Sequence, residues 1–318
     1  MKILLTPGVY LPHQRAGSEI YLHKVAKYLL SIGHEVRAVA TCPQDYEYEG
    51  VKVYKCDAVN WKTDNNALWE WADIVFTQLS GTGYAMNKAR VRAKKVLNFA
   101  HNNAGYPQIP LRDNVFTVYN CHNTKKELNY KHDSFVLPPP IFKEDYRNID
   151  RTNAEYITLI NHNENKGGQI LIEIAKVLPD YKFMAVQGGY YKQIYSKLPN
   201  IKYVPMVDDI RPYLAQTKIL IAPSEYESYG QAQVEAMCCG IPIIATDLPG
   251  FREALDWALI RITNRNDISE WVKAIQARYD FPHSVESFDV ADTLTPKKDL
   301  EDFAIWLEKI NNLAIKTK

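Results

Sequence analysis

Two carboxylates eight positions apart, Glu227 and Glu235, flank a glycine in the run Pro223-Ser224-Glu225-Tyr226-Glu227-Ser228-Tyr229-Gly230-Gln231-Ala232-Gln233-Val234-Glu235-Ala236-Met237-Cys238-Cys239-Gly240-Ile241-Pro242. An ionised carboxylate only accepts hydrogen bonds, which suits it to sugar and ribose hydroxyls and makes it a poor direct partner for phosphate. Gly230 sits where a helix should open, so free backbone N–H groups and the positive end of the helix dipole face whatever lies in front of it, and an anion can approach the chain closely. The chemistry fits a ligand that is rich in hydroxyls at both ends and anionic in the middle, such as a nucleotide sugar.

The elements around the run can hold it in that arrangement. Lys218 to Ala222 is a short apolar stretch that reads as a buried parallel strand, and the residues after Gly230 are helix formers as far as Gly240. Glu227 then precedes the helix and Glu235 falls in its second turn. At about 1.5 Å of rise per residue, the two carboxylates bracket an anion held between them.

The run resembles the Glu-x7-Glu signature of retaining GT-B glycosyltransferases, in particular glycosyltransferase family 4, with Glu227, Tyr229, Gly230, Glu235, Ala236, Met237, Gly240 and Pro242 all on the pattern. The resemblance implies that Glu227 holds the donor sugar, that Glu235 holds the ribose, and that Tyr229, Gly230 and Gln231 line the donor site. The stretch Ile160-Asn161-His162-Asn163-Glu164-Asn165-Lys166-Gly167-Gly168 is similar to the family's Gly-Arg-x4-Lys-Gly segment. Lys166 would supply charge to the diphosphate leaving group. Asn161 stands where the family has arginine, and Arg15 is the cation expected to replace it from across the cleft. Ala16-Gly17 resembles the family's glycine-rich donor loop. His101 falls where a family histidine touches the donor sugar, with Asn102 and Asn103 as alternative contacts. Met206 and Val207 match the loop that holds the base. The resemblance also implies front-face substitution with retention, in which Glu227, His101 and Lys166 form the catalytic group and no metal or other cofactor is required. The expected co-substrate is a UDP-sugar, with a GDP-sugar as alternative.

Strand-like and helix-like segments alternate along the chain, which argues for parallel sheets covered by helices. Strands are expected at Lys2 to Thr6, Glu35 to Thr41, Val51 to Tyr54, Ile74 to Thr77, Val96 to Phe99 and Val115 to Tyr119. The proline-rich stretch Val136 to Pro140 reads as an interdomain linker. Strands resume at Tyr156 to Asn161, Lys182 to Val186, Ile201 to Val204, Lys218 to Ala222, Ile243 to Thr246 and Leu259 to Ile262, and Phe281 to Pro296 reads as a crossing loop. The expected fold class is α/β, GT-B, with two Rossmann-like parallel-sheet domains facing a central cleft. Residues 1–140 would form the acceptor domain and 141–295 the donor domain. The final segment, 296–318, would be a helix returning to the first domain, with Phe303, Trp306, Leu307 and Ile310 on its apolar stripe.

The chain has 318 residues, 46% hydrophobic and 24% charged, an ordinary globular composition, and a net charge of +1 that points to no polyanionic partner overall. Its cations are unevenly spread. From Gly81 to Lys131, nine of them (Lys88, Arg90, Arg92, Lys94, Lys95, Arg112, Lys125, Lys126 and Lys131) face only Asp113 and Glu127. The bland reading is a solvated helix face. The sharper one is an anionic acceptor surface, on a lipid, a polysaccharide or DNA with a hydroxylated base, with peripheral membrane or nucleic-acid contact. Five cysteines in no metal-ligand spacing, and no signal peptide or membrane span, fit a cytoplasmic protein. A non-catalytic nucleotide-sugar or glycan binding module and a GT-B epimerase stay open as alternatives. Neither the acceptor nor the oligomeric state is legible.

Overall fold

The computed structural model describes residues 1–56, 66–92, 94–102, 114–131 and 133–314. Two compact units divide the chain: Met1–Pro140 with Pro296–Lys318, and Ile141–Thr295. Each is built on its own sheet, and each sheet comes from short runs rich in Val, Ile and Leu that are buried along most of their length, as parallel strands covered on both faces must be.

In the first unit the strands are β1 Lys2–Gly8, β2 Glu35–Thr41, β3 Tyr46–Tyr48, β4 Val51–Cys56, β5 Ile74–Gln78, β6 Lys95–Ala100, β7 Val115–Tyr119 and β8 Ser134–Val136. They lie in the order β3-β4-β2-β1-β5-β6-β7-β8. All pairings are parallel except that of β3 with β4. The helix Gly17–Ser31 turns Tyr21, Leu22, Val25, Ala26 and Leu29 inward, and Gly33 ends it in the left-handed region at φ 89°. The helix Pro296–Asn311 buries Leu300, Phe303, Leu307 and Ile310. The Phe303 ring meets Phe76, Phe99 and Phe135, and Trp306 meets Phe116 and Phe135, so the last helix supplies part of this unit's core.

The second unit holds β9 Tyr156–Ile160, β10 Lys182–Val186, β11 Ile201–Val204, β12 Thr217–Ala222, β13 Ile243–Thr246 and β14 Leu259–Ile262. Their order is β11-β10-β9-β12-β13-β14, which is the Rossmann order 3-2-1-4-5-6, and every pairing is parallel. One core joins Ile157, Leu159, Ile221 and Ile244 of the sheet to Ile170, Ile174 and Trp271 of the covering helices. Strand order reverses between β9 and β12. Loops leaving the two strands diverge there to opposite faces, and the gap at their carboxyl ends is where such sheets bind ligands.

Three expectations need correction. Phe281 to Pro296 is no plain loop: the helix Val285–Ala291, capped by Ser284, lies within it and buries Ser287, Val290 and Ala291. Seven residues with two buried aliphatics are too few to show a period. The strands Tyr46–Tyr48 and Ser134–Val136 were missed for the same reason, being three residues long at the sheet edges. Within the basic stretch, Lys95 is not a surface cation. Lys94 Nζ donates to the Ala72 carbonyl (2.6 Å), Lys95 is buried and caps the Asn311 carbonyl at the end of the last helix, and Lys88 bonds Asn66 (3.2 Å). Asn103, Arg112 and Asp113, and the side chains of Arg90 and Arg92, lie outside the described residues. Among the described residues, no helix is long and apolar enough to cross a membrane.

Candidate functional site

The switch point of the second sheet brings Lys166, from the loop after β9, to Glu227, from the loop after β12. Lys166 Nζ lies 2.6 Å from Glu227 Oε2 and donates to the Tyr226 carbonyl at 3.2 Å. Both side chains are only partly covered, so the pair stays open to solvent and to a ligand.

Several contacts hold the two loops in register. Asn163 Oδ1 accepts from the Lys166 backbone N–H (2.9 Å), and Gly168 N–H returns to the Asn163 carbonyl (2.9 Å). Gly167 sits at φ 88°, and a Cβ there would strike Pro223 of the β12 loop, so both conformation and space demand glycine. The Glu225 N–H donates to the Asn165 carbonyl at 2.8 Å. Arg265 then ties both loops from the side, donating to Pro223 O at 2.7 Å and Glu164 O at 3.0 Å.

Two helices begin at this place, Gly168–Val177 and Gln231–Cys238. Each follows a left-handed glycine, Gly167 or Gly230, and neither has a side-chain cap, whereas Asp267 and Ser284 cap helices elsewhere in the unit. Helix-start N–H groups left without a capping oxygen are anion donors. Gly230 is held at φ 87° with the Phe251 ring close enough that a Cβ would clash, and Gly250 packs its bare Cα against the Glu227 and Ser228 carbonyls. The helix Pro249–Leu255 thereby fixes the backbone that carries Glu227. Tyr229 is buried beside it and Gln231 half-buried.

Glu235 lies in the second turn of the helix Gln231–Cys238 and faces the hydroxyl of buried Tyr146. Burial first, then the Glu235 charge and hydrogen bond, raise the Tyr146 pKa, so the phenol stays a neutral donor to the carboxylate. The far end of that helix is gripped by Arg151, whose buried guanidinium donates to the carbonyls of Cys239, Gly240, Thr217 and Pro282. Burial brings its pKa down to about 10. Cys238 and Cys239 are pushed up to about 12, chiefly by burial, and remain thiols.

Asn161 follows β9 at φ 68°, a left-handed position that asparagine tolerates better than arginine would. Its Oδ1 accepts from Asn163 Nδ2 (2.9 Å) and Gln193 Nε2 (3.1 Å), and Gly188 packs against its side chain. The residue at the family's arginine position thus braces a neighbouring loop. Met206 is exposed after β11, while Val207 packs with Val186 and Val204.

Arg15, Gly17 and His101 belong to the first unit. Gly17 is the exposed first residue of its helix, and the half-buried Arg15 contributes positive charge that helps to lower the His23 pKa, behind burial. His101 follows β6 and is buried, with Nε2 2.8 Å from Gln78 Oε1 and its ring edge-on to Tyr21 at 5.4 Å. Burial depresses its pKa to about 3, so the imidazole is neutral at physiological pH.

Sequence reasoning missed Tyr146, Asn163, Gln193 and Arg265. Asn163 stood inside the recognised loop and could have been read as an Asx-type turn former. The others come from distant segments, and only the fold brings them to the site.

A family model described as Glycosyl transferases group 1 matches residues 156–280, which is the sheet carrying Lys166 and Glu227. An uncharacterized glycosyltransferase of Methanocaldococcus jannaschii is 29% identical over 117 residues, 33% of this chain and 33% of that protein. The chain spans about a third of the length of the curated relatives it matches. Among solved structures, sucrose-phosphate synthase of Thermosynechococcus elongatus aligns with a TM-score of 0.76 at 14% identity, covering 98% of this chain and 99% of that one. HepE of Anabaena, solved with UDP and glucose, aligns with a TM-score of 0.75 at 14% identity, covering 97% and 99%. The two Rossmann-like sheets and these neighbours make the fold GT-B.

Proposed function

We propose that this GT-B chain is a glycosyltransferase that moves a sugar from a nucleoside diphosphate sugar to an acceptor hydroxyl with retention at the anomeric carbon. The observation that carries the reading is the Lys166–Glu227 pair at the sheet's switch point, 2.6 Å apart between two helix starts without caps. A diphosphate there would take the Lys166 ammonium and the N–H groups at the uncapped start of the helix Gln231–Cys238, which stabilise negative charge as it grows on the leaving group. Glu227 would then turn to the sugar hydroxyls and Glu235 to the ribose, as groups that position the donor. In the transfer, the bond from the anomeric carbon to the β-phosphate oxygen breaks and the nucleoside diphosphate leaves with that electron pair. The acceptor oxygen bonds the same face of the carbon, and its proton passes to the departing phosphate. For Arg15, Gly17 and His101 a donor role rests on the resemblance alone. The reading needs no metal, and the favoured donor is a UDP-sugar.

Incubation of the chain with a panel of UDP- and GDP-sugars tests it. Slow release of nucleoside diphosphate, with proton NMR showing the donor's anomeric configuration in the product, is the expected result. Isomerised sugar without release would indicate an epimerase, and binding without turnover a carbohydrate-binding module.

A further inference from the structure

Residues 263–267 turn from β14 into the helix Ile268–Arg278, with Arg265 at the middle. The turn is rooted in the helix that follows it. Glu270 accepts from the Thr263 and Asn264 N–H groups at 2.9 and 3.0 Å, and Asp267 caps the helix through the Ser269 N–H at 2.9 Å. Trp271, fully buried in the core, donates its Nε1–H to the Arg265 carbonyl at 2.9 Å. The Arg265 backbone is therefore fixed before its side chain leaves the turn. That side chain is 19% exposed, and its Nη1 lies 3.6 Å from the Glu225 carboxylate. Its Nε and Nη2 donate to the Pro223 and Glu164 carbonyls. Glu164 stands two residues before Lys166, and Pro223 four before Glu227.

One rigid, planar guanidinium thus takes a carbonyl from each of the two loops that carry the charged pair, and it does so from a third loop. In the sheet, β13 lies between β14 and β12, so the side chain reaches past a strand to make these bonds. The long arginine fork is suited to that span, because its donors keep a fixed spacing. Attraction between Lys166 and Glu227 also draws their loops together, but a diphosphate that takes the ammonium competes with it. The Arg265 bonds go to neutral carbonyls outside the pair, so they persist when the anion arrives. We propose that Arg265 is the positioning residue of the anion site, setting the spacing of Lys166 from Glu227 in the empty and the occupied state alike, and with it the affinity for a diphosphate. The assignment rests on the donor reading above. A site held ready in this way spends less of its interaction energy on ordering its own loops.

Calorimetry on the full chain with UDP and inorganic pyrophosphate tests the proposal, using Arg265→Ala, Arg265→Lys and Lys166→Ala, alone and combined, with the thermal midpoint of each read alongside. Arg265→Ala should weaken UDP and pyrophosphate by the same factor, about tenfold, because the loss falls on the phosphate site they share. Arg265→Lys should recover part of it, since an ammonium cannot hold both carbonyls in the arginine's geometry. Added to Lys166→Ala, Arg265→Ala should cost UDP no more than about twofold further, as a brace acts through the group it braces. Should Arg265→Ala not fold, Arg265→Lys carries the same cycle. Full additivity with Lys166→Ala would overturn the proposal, showing that Arg265 acts independently of the lysine. A lowered midpoint with unchanged affinities would overturn it too and leave Arg265 a stabiliser of the fold. A parent chain that binds both ligands, with Arg265→Ala binding them equally well, would remove the brace and spare the donor reading. A parent chain that binds neither would remove both.

Discussion

The Lys166 ammonium is 2.6 Å from Glu227 Oε2, although 61 residues separate them in the chain. They meet because β9 and β12 are hydrogen-bonded neighbours and the loops leaving them carry these two side chains at the same end of the sheet. With both side chains partly open to water, the pair adds little stability, on the order of 0–1 kcal/mol. Its effect is to hold a cation in place while partly neutralising it.

Glu227→Gln should therefore separate binding from turnover. With the neutralising charge removed, Lys166 attracts anions more strongly, so free UDP and pyrophosphate should bind several-fold tighter by calorimetry. Turnover should fall, since the sugar loses its carboxylate. Weaker binding of both anions would mean that Glu227 supports the loop and does not compete for the lysine.

Lys166→Ala removes the charge that meets the leaving group. Loss of one such electrostatic donor lowers turnover by roughly a hundredfold to a thousandfold, and UDP affinity should fall with it. The thermal midpoint should move little, as the pair, still in touch with solvent, contributes on the order of 1 kcal/mol or less. A large drop in midpoint with intact affinity would reverse the assignment.

Glu235→Ala should weaken nucleoside diphosphates and leave pyrophosphate untouched, because its proposed partner is the ribose. Calorimetry with the two ligands reads this directly. The substitution also strips Tyr146 of its acceptor, so Tyr146→Phe serves as the control for packing loss, and it should keep nucleotide affinity within a few-fold of the parent.

Much of this arrangement was legible in the sequence, and what was not has a physical reason. The bounds of strands such as Glu35–Thr41, Lys182–Val186 and Ile243–Thr246 are legible to the residue because short, mainly apolar runs between turn formers have few alternatives. The Glu227 corner was readable because Gly230 and the helix formers after it are local. Tyr46–Tyr48 and Ser134–Val136 were not, since three residues at an edge carry no period. Lys95 looked like a surface cation, and only its β-strand position shows that it is drawn inward to the last helix. Asn161 looked like a missing charge. Its left-handed backbone and its bond to Gln193, 32 residues away, are properties of the folded chain.

Arg151 offers a test of stability without direct contact with the proposed ligand. Its guanidinium serves four carbonyls from a buried position, so Arg151→Met takes a donor from each of them, and only that of Gly240 keeps the Ser284 N–H named among its partners. A loss of about 2–4 kcal/mol is expected in denaturant unfolding of the chain. Arg151→Lys should recover only part of it, since an ammonium cannot span the four acceptors.

The buried His101 gives a sign for pH dependence. Its pKa falls from 6.5 in the unfolded chain to about 3 in the fold, through burial. Between those values the unfolded chain binds the extra proton, so stability rises with pH across that window and the contribution is lost as pH falls toward 3. Chemical denaturation between pH 4 and 7 should show a shallower slope for His101→Gln than for the parent. An unchanged slope would place the imidazole in a more hydrated setting than its contacts with Gln78 and Tyr21 suggest.

The helix Pro296–Asn311 gives the first unit part of its core from the far side of the second in sequence. On a ribosome the two units must then mature in the reverse of their order of synthesis. Residues 141–295 are contiguous and can close as soon as they emerge, whereas Phe76, Phe99, Phe116 and Phe135 wait for Phe303 and Trp306. The sheet that begins the chain is thus the one that spends longest with an open apolar face, and is where chaperones should find most to hold.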